Sequence, residues 1–179
     1  HAALAAMLRS ISMLLAEHRR RGTLPEFDVL RAMLFYIDEF PGKLHHTKES
    51  DLLFPLVRKR SGEARDTMAQ LDKEHAQGED DIRRLEHALL AFEVMGEPRR
   101  AAFENAVERY VESHLAHMRT EEREILPLAQ QVLTPADWAE LDAAFQKNRD
   151  PLTGHEPADE YRDLFSRIVR MAPAPIGLG

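Results

Sequence analysis

Two stretches of the chain, HHTKESDLLFP at 45–55 and HMRTEEREILP at 117–127, share three identities, and the three are His, Glu and Pro. In each copy a histidine (His45, His117) is followed four residues on by a glutamate (Glu49, Glu121) and ten residues on by a proline (Pro55, Pro127). On a helix a spacing of four puts imidazole and carboxylate on one face, with Cβ atoms about 5–6 Å apart. Such a pair facing a core is costly unless it is hydrogen-bonded, ion-paired or bound to a metal. The sequence contains no cysteine, so thiolate zinc sites, iron–sulfur clusters and thiol nucleophiles are excluded and any metal must be held by His, Asp or Glu.

Further histidines fall on apolar stripes. Leu4, Leu8, Ile11 and Leu15 recur at steps of four and three, and the next position of that stripe is His18. Met68, Leu71, Ile82, Leu85, Leu89 and Phe92 form another stripe, which carries His75. Four helices converging on one axis therefore offer His18, His45, Glu49, His75, His117 and Glu121. The repeat reads as one half-site used twice, each half joining a histidine (His18 or His75) to a His-x-x-x-Glu pair from the next helix. Two six-coordinate ions have about 12 positions, of which about 10 are filled by four His, two bridging Glu and an oxo or hydroxo bridge. About two stay open for a small molecule. Nitrogen and carboxylate donors without sulfur favour iron, with zinc, manganese and other divalent metals as alternatives.

Around this set stand weaker candidates. His46 is about 100° off the stripe, and Glu79 lies near it beside Gly78; both are secondary ligand candidates. His114 and Tyr110 precede His117 by one and two turns, so they are placed beside the metals as hydrogen-bond or proton donors. His1, His87 and His155 fall off the stripes or in the tail and are expected to face solvent.

The elements that must position these residues are helices. The chain has 179 residues, is 44% hydrophobic and 31% charged, and is rich in Ala, Leu, Glu and Arg with only 8 Gly, which favours an all-α fold. Stops at Gly22, Ser61-Gly62 and Gly96 with Pro98 divide it into four long segments, and short connections make neighbours antiparallel. Pro41 and Pro55 are expected to kink or shorten the second segment. Thr134-Pro135 reads as the N-cap and first residue of a shorter helix. The expected fold is an up-down-up-down four-helix bundle with a fifth short helix over 1–147, followed by a tail at 148–179. That tail carries one short helix near 160–171, loose packing and a disordered PAPIGLG end.

The order His, His-x-x-x-Glu, His, His-x-x-x-Glu, with LFP and ILP after the two pairs, resembles the hemerythrin-like (HHE cation-binding) family over about residues 4–132. The resemblance implies a four-helix bundle with a non-haem di-iron centre that binds dioxygen, nitric oxide or peroxide. The roles it implies are oxygen carriage, oxygen or iron sensing, and repair of iron centres. Oxygen carriers of the family have a fifth histidine where this chain has Glu79, and their last carboxylate follows its histidine by five residues, not four. The set is thus more similar to the four-His, two-Glu branch.

Two function classes follow, with no catalytic residue assigned. One is a module that binds or senses dioxygen, nitric oxide, peroxide or iron. The other is a di-iron enzyme: a peroxidase, a nitric oxide reductase or an iron donor for repair. A ferritin-like oxidase is disfavoured because no histidine has a glutamate three residues before it, and a metal-free helical interaction protein is the remaining alternative. The net charge of -7 without a basic stripe argues against nucleic acid, and no apolar run approaches a membrane span. A cytoplasmic protein is expected, and a homodimer is compatible with it.

Overall fold

Each apolar stripe becomes one rod of a bundle in the computed structural model, which describes residues 1–174, 176 and 177. The first rod is α1 (Ala2–Arg21), ended by Gly22 in the left-handed conformation at φ 64°, where a residue without Cβ is least strained. The second rod is composite. It runs through α2 (Phe27–Ile37), π-helical segments at Asp38–His46 and Glu49–Leu53, and α3 (Phe54–Arg60). The third is α4 (Arg65–Met95), and the fourth joins α5 (Arg100–Thr120), a π-helical segment at Glu121–Ile125 and α6 (Leu126–Val132). Short connections fold the rods antiparallel, with α1 against α2 and α5, and α4 against α2 and α5. No strand occurs among the described residues.

Where Pro41 and Pro55 were expected to kink or shorten the second segment, the rod widens into π-helical turns, and the fourth rod does the same before Pro127. Pro55 and Pro127 each stand six residues after a repeat glutamate, and each follows a π-helical segment that begins at that glutamate. Proline has no N–H for the carbonyl four residues back, and its ring pushes against that carbonyl. One extra residue in the turn relieves both problems. Pro41 lies inside the segment that ends at His46.

α7 (Pro135–Gln146) starts at a capping box in which Thr134 and Asp137 satisfy each other's backbone N–H. Arg60 adds two bonds to the Asp137 carboxylate, at 2.9 and 3.0 Å, and together these hold that carboxyl below its ordinary range. α8 (Arg162–Met171) packs on α2 and buries Phe165 and Ile168. Tyr36 donates to Asp150 at 2.8 Å, Ser10 donates to the carbonyl of Pro173 at 3.2 Å, and Ala172 is buried. The tail is therefore tied to the bundle, contrary to the expected loose packing. Its single stripe of apolar residues closes the gap beside α2. Of the PAPIGLG end, residues 175, 178 and 179 lie outside the described residues.

Two apolar clusters make up the core. Leu4 to Phe40, Ile82 to Phe92, and Phe103 to Met118 contribute to the first. Leu53, Phe54, Val57, Met68, Leu71, Ile125, Leu128 and Leu141 build the second. Along the second, third and fourth rods the change from one cluster to the other falls at His45–Glu49, at His75 and at His117–Glu121. Polar side chains thus form a layer between two apolar plugs.

Candidate metal centre

Four imidazoles and two carboxylates meet in this layer. His45 Nε2 lies 2.9 Å from Glu49 Oε1, and His1 Nε2 lies 2.9 Å from Glu121 Oε2 and 3.8 Å from Glu49 Oε1. On the other side, His75 Nε2 is 3.5 Å from Glu49 Oε2 and 3.7 Å from Glu121 Oε1, while His117 Nε2 is 3.4 Å from Glu121 Oε1. Each glutamate therefore turns one oxygen towards His1 or His45 and the other towards His75 or His117. Atoms of His46, Glu49, His75 and His117 lie within 4.8 Å of one another, as do atoms of His1, His45 and Glu49. The two groups share Glu49.

The donor chemistry fits a cation. Glu49 Oε2 and Glu121 Oε1 are buried without a hydrogen-bond partner among the described residues, and Glu121 Oε2 has only the His1 imidazole beside it, a costly state for carboxylates unless a positive charge is close. His75 and His117 point their Nε2 atoms at one another across 2.9 Å. Their outer nitrogens are held from behind, His117 Nδ1 donating to Glu74 at 2.7 Å and His75 Nδ1 lying 2.8 Å from the Ser50 hydroxyl. His1 Nδ1 likewise donates to Glu122 at 3.0 Å. Fixing a proton on Nδ1 directs Nε2 inwards, the usual support of a metal-binding imidazole.

Burial would raise both carboxyls, yet neighbouring imidazoles outweigh it and hold Glu49 and Glu121 below the usual carboxylate range. Burial would lower His1, but Glu121 and Glu49 push it up to about 10. Burial opposes His117 too, and Glu121 and Glu74 raise it. Both imidazoles therefore take up a proton more readily than a free one does, which offsets the charge of the carboxylates. His75 is lowered by burial, and His46 is pushed down to about 3 by burial and by neighbouring imidazoles, so both stay neutral.

Of the residues singled out from sequence, His45, Glu49, His75, His117 and Glu121 come together and His18 does not. His18 sits at the far end of α1, its Nδ1 2.9 Å from the Thr23 hydroxyl. His1, expected in solvent, stands in its place. Counted back three residues from Leu4, the stripe of α1 reaches His1, which was expected off it, so a histidine stands at either end, and α1 lies antiparallel to the second rod. At about 1.5 Å per residue, His45 lies roughly 27 Å beyond Phe27, which is level with the start of α1 and not with its end. That length argument was available in the sequence.

Glu79 also departs from expectation: it is 60% exposed and paired with Arg83 on its own helix. His46 joins the cluster, its ring stacked on His75 at 4.6 Å and 10°. The wide turn ending there rotates each residue by less than an α-helix does, so neighbours 45 and 46 both face inwards. Tyr110 and His114 stack on each other at 3.9 Å, and His114 lies 6.4 Å from His46. Both line a cavity of about 180 Å³ with His46, His75 and Gly78. Burial lowers His114 and raises Tyr110, so both are neutral. Ser50, Glu74 and Glu122 were missed. Each adjoins a cluster residue in sequence and so reads as surface on its own helix, although it borders a histidine of a neighbouring rod.

No helix among the described residues is long and apolar enough to cross a membrane. No curated protein and no solved structure gives a match. The family model described as hemerythrin HHE cation binding domain matches residues 1–129, a span that contains every residue of the cluster. With most of its length matched and a His/Glu layer suited to a cation inside an all-α bundle, the chain belongs to the hemerythrin HHE cation-binding domain family.

Proposed function

We propose that this protein is a non-haem di-iron module that binds or senses dioxygen, nitric oxide, peroxide or iron itself. The carrying observation is the split of each carboxylate between two imidazole groups, which suits two cations bridged by Glu49 and Glu121. His1 and His45 would hold one ion, and His75 and His117 the other, with His46 within reach of the second. These residues would hold iron, which would supply reversible binding of small ligands and one-electron chemistry.

The chain's own residues do the rest. Glu74, Glu122 and Ser50 orient imidazoles, and the two apolar clusters pack on either side of the layer. A di-iron enzyme, whether peroxidase, nitric oxide reductase or iron donor for repair, is the second reading. It is favoured by the cavity in which His46, His114 and Tyr110 stand as hydrogen-bonding groups beside His75. Metal content per chain, with optical spectra in air, after reduction and with nitric oxide, tests the first reading. About two irons per chain and a nitric-oxide-dependent spectrum are expected, and a chain that takes up no metal overturns it. Turnover with peroxide or nitric oxide would favour the enzyme.

A further inference from the structure

The two sides of the centre differ. His46 gives the His75/His117 side a third imidazole, whereas His1, His45 and Glu49 make a smaller group on the other side. That smaller group forms the floor of a second cavity, of about 370 Å³. Its walls are apolar: Leu53, Leu126, Trp138, Leu141 and Phe145. Phe145 meets the His45 ring edge-on, with centroids 5.1 Å apart at 70°. Trp138, Leu141 and Phe145 all come from α7, which begins at Pro135, beyond the matched residues 1–129. The α7 side of the wall therefore lies outside the span that the family model matches.

We propose that the cavity binds a small phenol, its ring and substituent against α7 and its hydroxyl oxygen at the His1/His45/Glu49 corner; this rests on the metal reading above. The size accepts one substituted ring, and aromatic walls suit a flat apolar body. The acidic rim, Glu122 and Asp142, disfavours anions from bulk water and admits a neutral molecule. An oxygen head then finds a cation side that has fewer protein imidazoles than its neighbour. A hydroxyl that ionises on binding loses its proton to solvent at the rim.

Trp138 is the only tryptophan in the sequence, so its fluorescence, excited at the red edge, reports the cavity without any activity assay. Metal-loaded protein is titrated with 4-ethylphenol and 4-propylphenol, with ethylbenzene, ethanol and benzoate as controls. The expected result is a saturable Trp138 response with a parallel change in the metal's visible spectrum. Each added methylene tightens binding about threefold to fourfold, and the controls bind at least tenfold more weakly. Phe145→Ala weakens binding at least tenfold and Phe145→Leu largely keeps it, compared at equal metal loading because Phe145 meets the His45 ring. No Trp138 response in metal-loaded protein overturns the proposal alone, as does a response that leaves the metal spectrum unchanged. Equal or tighter binding of benzoate overturns the neutral-ligand assignment. A dimer in solution with Trp138 shielded puts a second copy in the cavity and overturns it as well. A chain that takes up no metal overturns the functional reading, and this proposal with it.

Discussion

At the scale of single residues, histidines of one type at two ends of one stripe have different fates. His1→Ala is expected to lower metal occupancy sharply, and His18→Ala to leave it unchanged and remove only the contact with Thr23; metal analysis of the two variants decides. Glu49 and Glu121 each face both imidazole groups. Replacing either by Ala should therefore disturb both ions, while Glu79→Ala, whose side chain pairs with Arg83, leaves the spectrum as it was. Should Glu79→Ala abolish the metal spectrum and Glu49→Ala preserve it, the assignment of the bridging carboxylates is wrong. Glu74 touches His117 from behind, and its loss is expected to weaken metal affinity about 10- to 100-fold without changing the metal count at saturation.

The elements add constraints that no single side chain carries. The π-helical turns that begin at Glu49 and Glu121 are followed by Pro55 and Pro127 and are expected to depend on them. Replacing both prolines by Ala lets regular α-helix compete, which rotates the glutamates relative to the helices they face. Circular dichroism should keep its helical signal while metal occupancy falls, and unaltered occupancy would show that the turns are held by packing instead. α7 depends on its cap, so Thr134→Ala should cost about 1 kcal/mol in denaturant melts. Arg60 and Thr134 depress the Asp137 carboxyl. A depressed carboxyl stabilises the fold fully above its unfolded value of about 3.9, and that share is lost as pH falls through the folded value. The stability gap between the native chain and Asp137→Asn should thus be constant near neutrality and shrink below about pH 4.

The whole molecule joins metal binding to folding. Two buried carboxylates and four buried or half-buried imidazoles weaken the bundle unless a cation or protons balance them. A metal at about 100 times its Kd adds about 2.7 kcal/mol. Iron should raise the melting temperature of the native chain and not that of a variant lacking His1, His45, His75 and His117. Equal shifts would mean that iron binds elsewhere. Because imidazoles must lose protons to bind, occupancy should fall in acid and recover on neutralisation.

Legibility follows the range of the physics involved. Helical periodicity, the Gly and Pro stops, and the His-x-x-x-Glu spacing are local. They are written in neighbouring residues, so the all-α bundle and the pairs His45–Glu49 and His117–Glu121 could be read from sequence alone. Which end of α1 meets those pairs is a matter of antiparallel alignment and helix length, and periodicity is blind to it: His1 and His18 occupy the same stripe. The inward turn of His46 came from a wide helical turn that a fixed 100° per residue does not contain. Ser50, Glu74 and Glu122 matter only through imidazoles on other rods, and the cavity beneath α7 exists only where three distant segments meet. A sequence specifies what each helix presents on its own faces. Tertiary packing alone decided which of those faces share one buried layer, because the electrostatics of buried carboxylates act through space and not along the chain.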